Sequence, residues 1–387
     1  MSYLCSKAET KRLLNAKRIT PLPAQLLLAR ALLVSSVACL GWLVVSPPVS
    51  ASLARIHSIL EGKVELRRNG WKNFQQAFSG TALYGDDDLR VTPGTEVILV
   101  CPDRTSRDFF PAGEYRIGRV CPGTPRRVRP TFGVSETWSA RDANSPYVIT
   151  PWSGQLLSAT PTLRWNAVAD AELYTVTLKR RAGDRWVEVW TVKTDQSVLA
   201  YPINQPELQF GEEYALQVNV GNEAEAVEEW SPTAVFSLMG GQQKTDAEAA
   251  IAAVNAMDAP DSLKTLILVE EVYPNYQLFA AGMHDLLEQI SAGTETAQIH
   301  RLLGDYAIRL GLALPTETSY LKALSLAEVE ANSEEQVRTQ WVLGTFYNRV
   351  GELEKAVEYL EAAAAAATEL GDTTLAEDIA AEISRSQ

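Results

Sequence analysis

The chain has 387 residues, a formal net charge of −13, 46% hydrophobic residues and four cysteines. Its length predicts two or three domains, and its apolar content suffices for packed cores. The acidic balance argues against nucleic acid or an anionic lipid surface as a partner.

Residues 1–25 carry Lys7, Lys11, Arg12, Lys17 and Arg18 against one acid, Glu9, and an apolar run follows from Ala31 to Val45. A basic region, that run and the small residues before Ala51 make a secretory signal, cut after Ala51. Left uncut, the run is a signal anchor, short of the roughly twenty residues that span a bilayer comfortably. This alternative stays open, and only in it does the chain meet a membrane. Cys39 lies inside the run and lacks the Leu of a lipoprotein box. Removing residues 1–51 takes away six basic residues and one acid, leaving a net charge of about −18. Cys5 and Cys39 go with the leader. The exported part keeps Cys101 and Cys121, an even pair that reads as a disulfide.

Strand signals dominate residues 53–124. Gly62 to Arg67 alternates apolar and charged residues, and Asn69-Gly70 predicts a hairpin turn with Trp71 and Phe74 on the return strand. Gly62, Val64, Leu66, Arg68 or Arg67, Gly70, Gly80, Leu83, Asp87, Leu89 and Arg90 together resemble a FecR-type domain, although Val91 stands where that family has Thr. The resemblance implies a bacterial periplasmic β-domain used for sensing or binding, not catalysis. Asp86-Asp87-Asp88 lacks the spacing of a calcium loop, and consecutive strand residues point to opposite faces, so a solvated turn is expected there. No metal site is expected.

Residues 125–146, Pro- and Arg-rich at their start, read as a linker. Strands return over 147–240 at the spacing of a β-sandwich. Trp165 is placed to plug the core, and Tyr214, after Leu208 and Gly211, sits where a tyrosine corner forms. This stretch resembles fibronectin type III. Trp186 and Trp190 share parity along one strand, which predicts that both pack inward rather than stack on sugar.

Helical periodicity fills 244–387, with Thr245-Asp246 as the expected cap of the first helix. One pattern then occurs twice, forty residues apart: Leu303-Gly304, Ala307, Gly311, Tyr320, Ala323 and Leu343-Gly344, Tyr347, Gly351, Leu360, Ala363. Gly304 and Gly344 let paired helices approach closely, while Gly311 and Gly351 end the first helix of each pair. The pattern resembles the tetratricopeptide repeat, a helical hairpin that stacks into a solenoid. In that family the concave face is lined by the first helix of each pair. Carried over, the resemblance implies a partner-binding face of Arg301, Asp305, Arg309, Arg338, Trp341, Thr345, Asn348 and Arg349. Its arginines suit an acidic or carboxylate-ended peptide.

The expected architecture is therefore multidomain: two all-β domains, FecR-like and then immunoglobulin- or fibronectin III-like, followed by an all-α TPR-like solenoid. His57, His284 and His300 are scattered, and nucleophile-elbow, phosphate-loop and zincin motifs are absent, so neither an enzyme nor a cofactor is expected. The leading expectation is an exported scaffold or adaptor, in the periplasm or cell envelope, that binds a protein or peptide through its helical groove. The alternatives are an envelope protein whose β-domains bind cell-wall polymer or glycan, and a membrane-anchored accessory of a sensing system.

Overall fold

The computed structural model describes residues 53–108, 111–127, 143–221 and 234–386. The leader and its anchor alternative, and most of the linker, lie outside these residues. Among the described residues, no helix is long and apolar enough to cross a membrane. Residues 50–387 form one compact unit, with β-sheets first and an all-helical region at the carboxyl end.

The first β-region contains β1 (Ala54–Glu61), β2 (Val64–Arg67), β3 (Gln75–Gln76), β4 (Ala82–Leu83), β5 (Asp88–Val91), β6 (Glu96–Val100), β7 (Ser106–Asp108) and β8 (Gly113–Arg116). They make two sheets, ordered β4-β1-β6-β7 and β3-β2-β5-β8. The alternation read in the sequence buries Val64 and Leu66 against Ile56, Leu83, Leu89 and Leu99. Cys101 and Cys121 are joined by the expected disulfide, beside a short helix, α1 (Ile117–Val120).

Two expectations here are overturned. Trp71 is not on the return strand, which β3 forms only at Gln75 and Gln76. The turn after Gly70 throws Trp71 outward into the helical region, where an apolar socket buries it. The triple aspartate is not a solvated turn either. Asp87 is fully buried and accepts from Arg68 and from the Tyr84 N–H; Asp88 pairs with Arg67 and Arg116. Arginines from neighbouring strands compensate carboxylates that water would otherwise have to solvate. Asp87 is nonetheless held above the usual carboxylate range, because burial outweighs the Arg68 charge.

The second β-region has β9 (Val148–Thr150), β10 (Ser153–Leu156), β11 (Leu163–Trp165), β12 (Tyr174–Ala182), β13 (Arg185–Thr194), β14 (Val198–Leu199), β15 (Glu213–Val220) and β16 (Ala234–Leu238). Sheets β14-β11-β9 and β10-β16-β15-β12-β13 enclose a core around Trp165, Val176, Leu178, Trp190 and Phe236. The Tyr214 hydroxyl accepts the Gln209 N–H at 2.8 Å. Trp190 packs inward and donates to the Tyr201 hydroxyl. Trp186 does not follow it. Leu178 pairs with Trp190 but Lys179 pairs with Glu188, so one extra residue in β13 reverses its parity. Trp186 then lies on the outer face, 38% exposed, with the Arg181 guanidinium over its ring.

The helical region runs α2 (Gly241–Asn255), α3 (Asp261–Ile267), a π-turn and a 3-10 turn to Tyr276, then α4 (Phe279–Ser291), α5 (Ala297–Arg309), α6 (Ala313–Val329), α7 (Ser333–Val350), α8 (Leu353–Leu370) and α9 (Thr373–Ser386). The first helix starts at Gly241, so Thr245 and Asp246 are interior rather than capping. Side-chain caps occur instead at Thr296, bonded to the Ile299 N–H, and at Asn332, bonded to the Glu335 N–H. α5 pairs with α6, and α7 with α8. A Cβ on Gly304 would stand 2.4 Å from the Tyr320 ring, and one on Gly344 2.6 Å from Leu360 Cγ. The two glycines and their large partners are therefore equivalent across the pairs, and each close approach needs a residue without a side chain.

Candidate functional site

The inner faces of α5 and α7 look onto the chain's own first β-region, and the contact begins with charge. Arg55, fully buried on β1, reaches Glu270 at 2.7 Å and Glu271 at 3.0 Å. Arg68, after β2, grips Glu334 with two parallel hydrogen bonds of 2.9 and 2.8 Å. Arg127, in the segment read from the sequence as a linker, is packed instead: its backbone N–H donates to the Asp86 carboxylate and its guanidinium pairs with Asp372 at 3.1 Å. Bidentate, desolvated pairs of this kind fix orientation, and removing one partner leaves a buried charge. Burial opposes ionisation of Glu334, but the Arg68 charge and hydrogen bonds outweigh it and hold the carboxyl down at about 2. Glu270 is likewise lowered despite burial, by Arg55 and then Arg301.

An apolar knob completes the seam. Trp71 sits among Val337, Trp341, Leu360, Ala367 and Leu370, and its indole N–H donates to Asp372. The next backbone N–H, Lys72, donates to the Leu370 carbonyl at the end of α8. A Cβ on Gly371 would lie 2.7 Å from the Lys72 nitrogen, so the helix terminus and the β-turn touch only because this residue is Gly.

Between the two walls remains a cavity of ≈ 680 Å³. The eight residues taken from the sequence as a partner face divide around it. Arg301, Asp305, Arg309 and Arg338 line the cavity. Arg301 is 1% exposed and bonds Glu335, Asp305 and Glu270, so it organises the wall instead of facing a ligand. Asp305 also accepts from the Tyr320 hydroxyl. Arg309 is exposed at the rim, and Arg338 is half-buried with its Nε lacking a hydrogen-bond partner. Trp341 and Thr345 both bond Glu382 of α9 and do not line the cavity. Asn348 is half-buried and Arg349 exposed near the end of α7, away from the cavity.

Sequence reasoning missed Arg55, Arg68, Trp71 and the carboxylates they meet. Each residue belongs to a β-pattern that reads as self-contained, and partners more than two hundred positions away leave no local signal. Among the described residues, no cluster of His, Cys, Asp or Glu is arranged to hold a metal ion.

Neither a protein-family model nor a curated protein matches the chain. Solved structures that resemble part of it include BtubC (BKLC) from P. vanneervenii, at 16% identity and a TM-score of 0.27, over 37% of this chain and 71% of that one.

Proposed function

We propose that the chain is an exported, non-catalytic adaptor made of a FecR-like β-domain, a fibronectin type III-like sandwich and a TPR-like helical stack. It holds a protein or peptide partner, acidic in character, in the part of the helical groove that its own β-domain leaves open. The observation that carries this reading is the seam itself. The inner helical face already grips protein surface through buried arginine–carboxylate pairs and one aromatic knob, yet leaves a walled cavity beside that contact. The disulfide suits an oxidising compartment such as the periplasm or cell envelope. The repeated Gly304–Tyr320 and Gly344–Leu360 packing suits stacked hairpins of the tetratricopeptide kind.

The test is a photo-crosslinking residue placed at Arg309 of the full chain, in cells of the source organism, with a second at Ile203 on the sandwich. A discrete crosslinked partner at the first position, abolished by Arg338→Glu, is the expected result. Crosslinking at Ile203 alone refutes the groove as the partner site.

One observation favours a second reading, binding of cell-wall polymer or glycan by the sandwich. Trp186 presents a partly exposed aromatic ring on the outer sheet face, with the Arg181 guanidinium over it, where a pyranose could stack beside or in place of that arginine. Retention of the protein on cell-wall material, lost on Trp186→Ala, would support that reading over the first.

A further inference from the structure

The β-side wall of the cavity is a strand edge. β3 is the outermost strand of its sheet, and Gln75, Gln76 and Ala77 line the cavity. The Ala77 N–H donates to the Val64 carbonyl, and the register sets Glu65 opposite Gln76. In antiparallel pairing, alternate residues turn their N–H and C=O to opposite sides. Ala77 and Gln75 therefore bond β2, while the N–H and C=O of Gln76 point away from β2 along the open edge. Beyond this point the edge is closed off: the Phe78 N–H goes to the Thr81 hydroxyl and the Gly80 N–H to the Ile56 carbonyl.

The helical wall opposite is charged in a particular way. Its carboxylates are engaged: Glu334 by Arg68, Glu270 by the charges of Arg55 and Arg301, Glu335 and Asp305 by Arg301, and Glu330 by the Ala297 N–H. Two guanidiniums on that wall, Arg309 and Arg338, retain donor capacity; the Arg338 charge helps lower Glu270 and Glu334, but its Nε is buried without a hydrogen-bond partner. An unfilled main-chain edge thus faces unfilled cationic donors across one cavity.

We propose that an extended acidic peptide segment enters this cavity as an added strand on Gln76, with one carboxylate side chain held by Arg338 or Arg309. The proposal rests on the peptide-binding reading above and names how the peptide is held. Strand addition supplies affinity through main-chain hydrogen bonds, and a guanidinium selects a carboxylate through paired donors. The cavity volume is within the usual range for a ligand site. Both walls are needed, so the site exists only while the β-domain is docked on the helices.

Gln76→Pro offers a clean perturbation. The N–H it deletes takes no part in the β2 ladder, and proline is tolerated on an edge strand with that side facing out. Blocked octapeptides, randomised except for one central position fixed as Glu or as Lys, serve as the probe against the purified full chain. The Glu set is expected to yield binders and the Lys set none. For a selected Glu peptide, Gln76→Pro should bind at least tenfold more weakly than Gln76→Ala, with equal melting temperatures for the two variants. Arg338→Gln should weaken the same peptide by a similar factor. In hydrogen exchange, the Gln76 amide should become protected when the peptide is added. Equal binding by the two Gln76 variants, equal binding of Lys and Glu peptides, or no binder from either set overturns the proposal. If peptide binding is lost in Arg309→Glu/Arg338→Glu yet indifferent to Gln76→Pro, the groove reading stands and strand addition falls.

Discussion

Trp71→Ala tests whether the β-region is truly fastened to the helices. The indole is 6% exposed, and its socket consists of residues from α7, α8 and α9. An aromatic side chain of this kind buries roughly 150–250 Å². At about 25 cal/mol per Å² that contributes about 4–6 kcal/mol, and buried Trp→Ala changes cost about 3–5 kcal/mol. A loss of about 4 kcal/mol is therefore expected. Loss of the indole N–H adds little, because Asp372 keeps its contacts with Arg127 and the Leu375 N–H. Trp71→Phe, which keeps most of the apolar area, should lose about 1 kcal/mol. The assay is urea unfolding of the full chain followed at the helical circular dichroism band. Knob and socket belong to different regions, so the loss should appear in the helical transition although the substitution is in the β-region. A helical transition that moves by less than about 1 kcal/mol for Trp71→Ala would refute the reasoning, since the ion pairs alone would then be holding the seam.

Acid should loosen the same seam. Glu334 is depressed from 4.5 to about 2, so its contribution is complete above about pH 4.5 and is lost as pH falls through 2. The shift corresponds to about 3 kcal/mol as an order of magnitude. Asp87, held above its usual range by burial, acts in the opposite sense and offsets part of it. Melting temperatures between pH 6 and pH 2 should fall more steeply for the parent chain than for Arg68→Met; equal slopes count against the pairing. Gly344→Ala should destabilise by about 1–3 kcal/mol in thermal or urea unfolding, because Leu360 blocks the new methyl at 2.6 Å and the Ala356 carbonyl lies at 3.1 Å. On the sandwich, Trp190→Ala should cost about 3–5 kcal/mol and Trp186→Ala under about 0.5 kcal/mol, a contrast that equal losses would contradict.

The sequence made local features legible and left the long-range ones dark. Val64 and Leu66 announced a half-buried strand by alternation, and the glycines at 304 and 344 announced helix contacts by their recurrence. Both signals act over a few residues, where backbone geometry alone decides which side chains share a face. Trp186 escaped because one inserted residue in β13 reverses parity, and nothing in the letters marks a bulge. Trp71 escaped because a tryptophan after Asn-Gly fits a return strand as well as a loop that reaches elsewhere. Only the proximity of α8 and α9, three hundred residues later, decides between them. Arg301 shows the same limit: helix periodicity placed it on the inner face, but gave no sign of the Glu335 and Glu270 that bind it there.

Charge at the seam also has a sign, and it constrains what else can bind. The first β-region and the segment after it supply the arginines, Arg55, Arg68 and Arg127; the helical region supplies the carboxylates, Glu270, Glu271, Glu334 and Asp372. What the inner helical face accepts in cis is therefore basic. An acidic peptide is a poor replacement for the β-region on those carboxylates, because like charges at such spacing repel. Glu271 and Glu334 would also lose the arginines that pair with them, while Glu270 would keep Arg301 but lose Arg55. If the proposed acidic peptide binds, it and the β-region are held together, the peptide on Arg309 and Arg338 and the β-region on the carboxylates. Peptide binding should accordingly raise the stability of the seam by RT ln(1 + c/Kd), growing with the free peptide concentration c. A competitor that instead undocks Trp71 would have to be basic.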